Sequence, residues 1–193
     1  MQQPDPAAQA FLARRHSFSA KLYTGPVPDH AALRAILTTA LRVPDHGKLE
    51  PWRLVVIERP AMKRLAELAA TRGRELGLDA EQIEKGRGHF DRGGLAVVVI
   101  SAPKSIEKIP AVEQLLSAGA LCFNLVATAL AAGWGANWLT GWPAHDRAFI
   151  TEAFGCTVTE SVAGIVHIGT PPDSLITDRP RPNIDTLTTW LSA

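Results

Sequence analysis

The chain has 193 residues, 46% hydrophobic and 20% charged, with a formal net charge of +1 at pH 7. That length suffices to bury a substantial core within one domain spanning 1–193, and the composition is that of a soluble globular protein, not of a disordered or fibrous chain. So small a net charge offers no field for nucleic acid or an anionic membrane surface. Its two cysteines, Cys122 and Cys156, form no CxxC pair and read as small core residues of a reduced, cytoplasmic protein. Met1 to Ala10 lacks the basic and apolar regions of a secretion signal.

In chain order, Pro6 to Arg14 reads as a short helix with Phe11 and Leu12 turned inward. Pro26-Val27-Pro28-Asp29 is a turn, and Asp29 suits the N-cap of a helix from Ala31 to Arg42, where Leu33, Ile36, Leu37, Ala40 and Leu41 recur at helical spacing. Trp52 to Ile57 is a strand between Pro51 and Pro60, and Pro60 opens a helix with Met62, Leu65, Ala66 and Ala69 inward. Thr71 to Gly94, rich in charge and glycine, predicts an exposed region that is partly helical around Ala80 to Lys85. Leu95 to Ser101 is a continuous apolar, largely β-branched run, as in a strand covered on both faces.

A long helix follows from Ile109 to Ala132, ended by Gly133. Its segment from Leu115 to Gly133 holds no charge over nearly the length of a membrane span. Ser117, Asn124 and Thr128, the bounding Glu113 and a content weighted to alanine favour a buried helix instead. Its small residues, Ala118, Gly119, Ala120, Ala127 and Ala131, permit close packing. Trp134 to Leu139 is a strand, Gly141-Trp142-Pro143 a turn, His145 to Phe154 a helix stopped by Gly155, and Val162 to Gly169 the last strand. The tail from Pro171 is proline-rich, with Arg179, Arg181 and a short helix near Trp190. Strands and helices do not alternate strictly, so the pattern predicts one α+β domain without a regular βαβ sheet.

Several chemistries lack their motifs. No GxGxxG follows a strand, no GxxxxGK[ST] or GxSxG is present, and the six histidines form no HxxxH or HExxH pair, so no metal site is assigned. Two runs invite a positive reading. Arg15-His16-Ser17 sets forked guanidinium donors and a hydroxyl beside an imidazole just past the first helix, a trio suited to a phosphate bearing a polyol. Arg15 also reads as a solvated charge, and Ser17 as a turn residue bonding its own backbone. In Arg42-Val43-Pro44-Asp45-His46, Pro44 disfavours helical geometry at Val43. Arg42 and His46 there suit the helix's last carbonyls as well as a ligand, and Asp45 reads as a turn or cap residue.

Together with Pro51-Trp52-Arg53, Gly133-Trp134-Gly135-Ala136-Asn137-Trp138, Ala153-Phe154-Gly155-Cys156 and Gly164-Ile165-Val166-His167-Ile168-Gly169-Thr170-Pro171, these runs resemble the nitroreductase family. The likeness covers most of the chain in order and points to its small bacterial NAD(P)H nitroreductases. It implies a nitroreductase-like α+β fold, with a central, mainly antiparallel sheet flanked by helices and the long helix at the heart of an obligate homodimer. It also implies FMN at the dimer interface. Arg15 and Ser17 would meet phosphate and ribityl chain, with His16 beside them, while Arg42 and His46 would reach the flavin of the partner subunit. Trp138, Leu139 and Thr140 would pass the flavin ring, where backbone donors matter, and Thr128 to Gly133 matches a helix end associated with nicotinamide dinucleotide. NADH or NADPH would supply hydride to flavin N5, and a nitroaromatic, quinone or similar small molecule would take the electrons. No protein acid is required, so no catalytic side chain is assigned. A flavin-dependent dehalogenase or dehydrogenase, and a flavin-binding protein without turnover, remain alternatives on the same fold.

Three positions depart from the pattern. Glu50 stands where relatives carry a glutamine, replacing a group that donates and accepts by one that normally only accepts. Leu139 replaces an arginine at the mouth of the site. Ser19 stands where larger members carry a lysine near the pyrimidine, which leaves Lys21 as a candidate for the cation that supports reduced flavin.

Overall fold

The structure, a computed structural model, describes residues 3–104, 107–174 and 180–192. Arg179 of the expected tail lies outside them. The first helix, α1 (Pro6–Arg14), begins where the Asp5 carboxylate accepts from the Ala8 N–H. It buries no residue: Leu12 is exposed and Phe11 only half-buried, contrary to the inward face expected of both. α1 packs on neither core cluster, so nothing fixes an inner side. α2 (His30–Ala40) is capped by Asp29, as its spacing predicts, and buries Leu33, Ile36 and Ala40. It ends two residues before Arg42, which leaves Leu41 exposed.

Strand β1 (Trp52–Glu58) leads into α3 (Arg59–Glu75), whose buried face holds Met62, Leu65, Ala66 and Ala69 as anticipated. α4 (Ala80–Asp91) corrects the reading of a largely exposed region. Asp79 and Gln82 form a reciprocal capping box that starts the helix, and Phe90, fully buried, anchors its far end. β2 (Leu95–Ser101) is buried at every residue. α5 (Ala111–Ala131) is the long helix, and Gly133 beyond it has φ 86. β3 (Gly135–Leu139) follows. Trp142-Pro143 proves helical instead of a turn: α6 (Trp142–His145) is separated by Asp146 from α7 (Arg147–Phe154), because the Asp146 carboxylate caps the second helix through Phe149. β4 (Ser161–Gly169) completes the sheet. The tail helix α8 (Ile184–Leu187) lies before Trp190, which is itself non-helical and exposed.

The four strands pair antiparallel in the order β1-β2-β4-β3. β2 explains the layering. Ala96, Val98 and Ile100 face a cluster with Leu65 of α3 and Phe149 and Phe154 of α7, while Leu95, Val97 and Val99 face Leu33 of α2 and Leu121 and Leu125 of α5. Burying each Val or Ile contributes about 1.5–3 kcal/mol, so alternation along one strand holds both layers. A register shift opposite Val99 and Ile100 puts Val162 and Ile165, three residues apart, on the same side of the sheet. α5 buries Ala118, Leu121, Cys122 and Leu125, but its other side exposes Val112, Leu116 and Phe123. Both cysteines are buried and unpaired. Although α5 is long and apolar enough to cross a membrane, half of its most apolar window is buried against the chain's own core.

Candidate functional site

Beyond α1 the chain turns extended at Arg15, whose guanidinium lies over the Phe123 ring of α5 at 5.5 Å. Such a contact holds the cation without neutralising it. His16 sits beside it with Nδ1 3.1 Å from the Arg14 carbonyl and its ring edge-on to Phe18, and Ser17 is exposed. The carbonyl of Phe18 accepts from the Asn137 amide on β3 and from the Tyr23 hydroxyl at 3.2 Å. Burial drives the Tyr23 phenol upward, so it keeps its proton and remains a donor. These bonds tie the Arg15–Ser17 segment to the strand that carries Trp138 and Leu139. Trp138 is partly exposed and lays its indole across Gly164 of β4.

Where β3 ends, a cavity of 430 Å³ gathers Leu139 and Thr140 with Ser19 and Lys21 of the N-terminal segment. Its remaining wall includes Lys85 and His89 of α4 and Arg92 just after it, together with Gly141 and Trp142. The α4 residues were missed in the sequence, because a stretch rich in charge and glycine reads as solvated surface. The burial of Phe90 and Gly86 shows that this helix packs inward instead.

Arg42 and His46 form a second group. The Arg42 side chain is exposed, while its backbone carbonyl, with those of Thr39 and Ala40, accepts from the Asn124 amide of α5. His46 Nδ1 lies 2.7 Å from Glu113 at the start of α5, and Ser117 donates to the Pro44 carbonyl at 2.6 Å. Asp45 is the turn residue expected: its carboxylate accepts from the N–H groups of Leu49, at 3.1 Å, and Glu50, at 2.8 Å. The loop so fixed puts Lys48 at φ 53 and Glu50 at φ 48, a left-handed conformation that costs non-glycine residues on the order of 1 kcal/mol or more each. Glu50 lines a 510 Å³ groove with Lys48, Trp52 and Arg53, apart from the cavity at Leu139. Among the described residues no hydrogen bond or ring contact joins Arg42 or His46 to Arg15, His16 or Ser17. One chain therefore presents two separate arms along α5.

Arg53, from the Pro-Trp-Arg run, is committed internally: it donates to both Glu160 oxygens, at 2.7 and 3.0 Å, and to the Phe154 carbonyl. His167, from the glycine-flanked β4 run, is buried, and among the described residues neither ring nitrogen finds a hydrogen-bond partner. Burial first, and then the neighbouring His89, push its pKa down to about 4, so it is a neutral core residue at pH 7.

The nitroreductase family model matches residues 12–170. A Haemophilus influenzae protein named "Putative NAD(P)H nitroreductase" is 35% identical over 153 residues, covering 79% of this chain and 83% of its own. The fold matches a nitroreductase-like family protein from Bacillus cereus with TM-score 0.76, 22% identity and full coverage of both chains. It also matches an FMN- and NADPH-dependent nitroreductase from Sphigopyxis sp. strain HMH, with TM-score 0.73, 18% identity, and 96% and 99% coverage. With its helix-flanked antiparallel sheet and these matches along most of its length, the chain belongs to the nitroreductase family of oxidoreductases.

Proposed function

We propose that the protein is an FMN-dependent oxidoreductase that uses NADH or NADPH to reduce nitroaromatic, quinone or similar small acceptors. The observation that carries this reading is the hydrogen bond from Asn137 to the Phe18 carbonyl, which ties the residue just after Ser17 to β3, the strand that runs into Leu139 and Thr140. The donor set fits the cofactor. Among the described residues Arg15 is held by an aromatic face and not by a carboxylate, which leaves its N–H donors available to a phosphate. Ser17 adds an exposed hydroxyl for the ribityl chain, and Lys21 supplies a cation at the cavity that also holds Leu139 and Thr140. FMN, when bound, supplies the N5 position that accepts hydride from the nicotinamide and passes electrons on. Around it this chain would bind the phosphate through Arg15 and the ribityl chain through Ser17. Through Lys21 it favours negative charge on the pyrimidine, and through Trp138 and Leu139 it limits water on one side.

The site is completed by a second copy. Val112, Leu116 and Phe123 form an uncovered apolar stripe on α5, and Ile184, Leu187, Trp190 and Leu191 of the tail are also exposed. A symmetric dimer that buries them brings Arg42 and His46 of one chain to the Arg15 side of the other, with two equivalent sites. His46 keeps Nε2 for that role, since Nδ1 is engaged by Glu113. The free cysteines suit a reducing cytoplasm. Steady-state oxidation of NADH and NADPH by FMN-loaded protein, with and without a nitroaromatic or quinone, tests the reading. Acceptor-dependent turnover is expected, and flavin binding without turnover would reduce the protein to a flavin carrier.

A further inference from the structure

The flavin reading leaves three side chains at the cavity without a role: Lys85 and His89 of α4 and Arg92 just after it. Their surroundings are one-sided in charge. Lys21 lies on the same cavity, the hydroxyl residues Ser19 and Thr140 line it, and no carboxylate is among its described lining residues. Lys85 is 2.6 Å from Glu81 and Arg92 is 3.3 Å from Glu84, but both partners lie outside the lining and both pairs are well exposed to solvent. Exposed pairs of this kind contribute little, so either cation can exchange its partner for an anion in the cavity.

Two rings are fixed between these cations. The His89 imidazole fills the space left by the absent side chain of Gly141, where any β-carbon would overlap its Nε2. Burial, aided by Arg92, lowers the His89 pKa, which keeps the ring neutral at pH 7 and able to form a hydrogen bond in either sense. The Trp142 indole rests against Gly86, where a β-carbon would collide with it, and its N–H donates to the Gln82 carbonyl at 2.9 Å. The cavity thus offers a locked aromatic surface, a neutral imidazole and two adjustable cations, in a volume typical of a small-molecule site.

We propose that this α4 wall binds a carboxylate or phosphate group on the molecule that exchanges electrons with the flavin, making Lys85 and Arg92 determinants of specificity for an anionic substrate. This deepens the function proposed above and rests on it. The anion has two possible sources, the acceptor or the 2′-phosphate of NADPH, and the recognition chemistry is the same for both.

The test compares FMN-loaded wild type with the Lys85→Gln/Arg92→Gln double variant. Kinetics are measured with nitrobenzene and 4-nitrobenzoate as acceptors and with NADH and NADPH as donors. Calorimetry measures binding of benzoate and of adenosine 2′,5′-bisphosphate. The loss expected is roughly tenfold, that of a charge-assisted hydrogen bond. A fall in 4-nitrobenzoate over nitrobenzene selectivity, with weaker benzoate binding, places the anion on the acceptor. A fall in NADPH over NADH preference, with weaker bisphosphate binding, places it on the donor. Either result supports the proposal, and Lys85→Arg/Arg92→Lys should restore the affected ratio. If both ratios and both affinities stay within about twofold of wild type, the proposal is overturned. Failure of the wild type to turn over would count against the broader function, and the binding measurements would still decide this one.

Discussion

Arg53 of β1 grips Glu160, just before β4, with two nitrogens at 2.7 and 3.0 Å, although strand β2 lies between their two strands. The Arg53 guanidinium lowers the Glu160 pKa to about 2, helped by the Thr157 N–H. A carboxylate depressed in this way stabilises the fold above its unfolded pKa near 4.5, and the contribution is lost as pH falls toward 2. Glu160→Gln should cost about 1.5–3 kcal/mol at pH 7, the range for hydrogen bonds to a charged group, since the pair is partly solvated. Urea titrations at pH 7 and pH 3 check this: the wild-type advantage should shrink at the lower pH.

His167 gives an acid dependence in a higher window. Its folded pKa of about 4 lies below the unfolded value of 6.5, so the unfolded chain binds a proton that the native core refuses. Stability from this group is complete above pH 6.5 and falls as pH drops toward 4, by about 3 kcal/mol. His167→Leu should flatten that part of the profile. Equal pH dependence of wild type and variant in denaturant melts between pH 7.5 and 4.5 would show that His167 is not the titrating group.

The loop before β1 tests how strain is held. Asp45→Ala removes the acceptor of two backbone N–H groups and should cost about 1–2 kcal/mol, with faster amide exchange at Leu49 and Glu50. Glu50→Gly should act in the opposite sense, raising stability by about 0.5–1 kcal/mol, because its φ of 48 suits glycine. Thermal melts of the two variants should move in opposite directions.

The legible parts of this molecule were those with short-range causes. Leu33, Ile36 and Ala40 repeat at helical spacing, Asp29 caps them, and the run from Leu95 to Ser101 is apolar on both faces; each was readable and each holds. Of the candidate site's motif residues, Leu139 and Thr140 share a cavity with Ser19 and Lys21. What could not be read depends on partners distant in sequence. Nothing near Arg15 announces Phe123, and nothing near Arg53 announces Glu160. The end of α4 looked like solvated surface because its glycines resemble breakers. Gly86 instead makes room for Trp142, a contact that exists only once α6 has packed.

The two arms along α5 predict complementation between chains. Arg15→Ala and Arg42→Ala homodimers should each bind FMN poorly at both sites, weakened by about 1.5–3 kcal/mol, with little change in fold. A purified heterodimer of the two variants should recover one intact site beside one doubly damaged site. FMN titration of that heterodimer reads the number of tight sites directly. None recovered would mean that Arg42 does not act across the interface.

The central claim, that Arg15, Ser17 and the β3 end form a flavin site, is tested most directly by the visible spectrum of the purified protein, alone and after FMN is added. The account predicts a yellow protein with the absorbance bands of oxidised flavin, and an Arg15→Ala variant that loses its colour on dialysis. A colourless protein that takes up no FMN in titration calorimetry would contradict it.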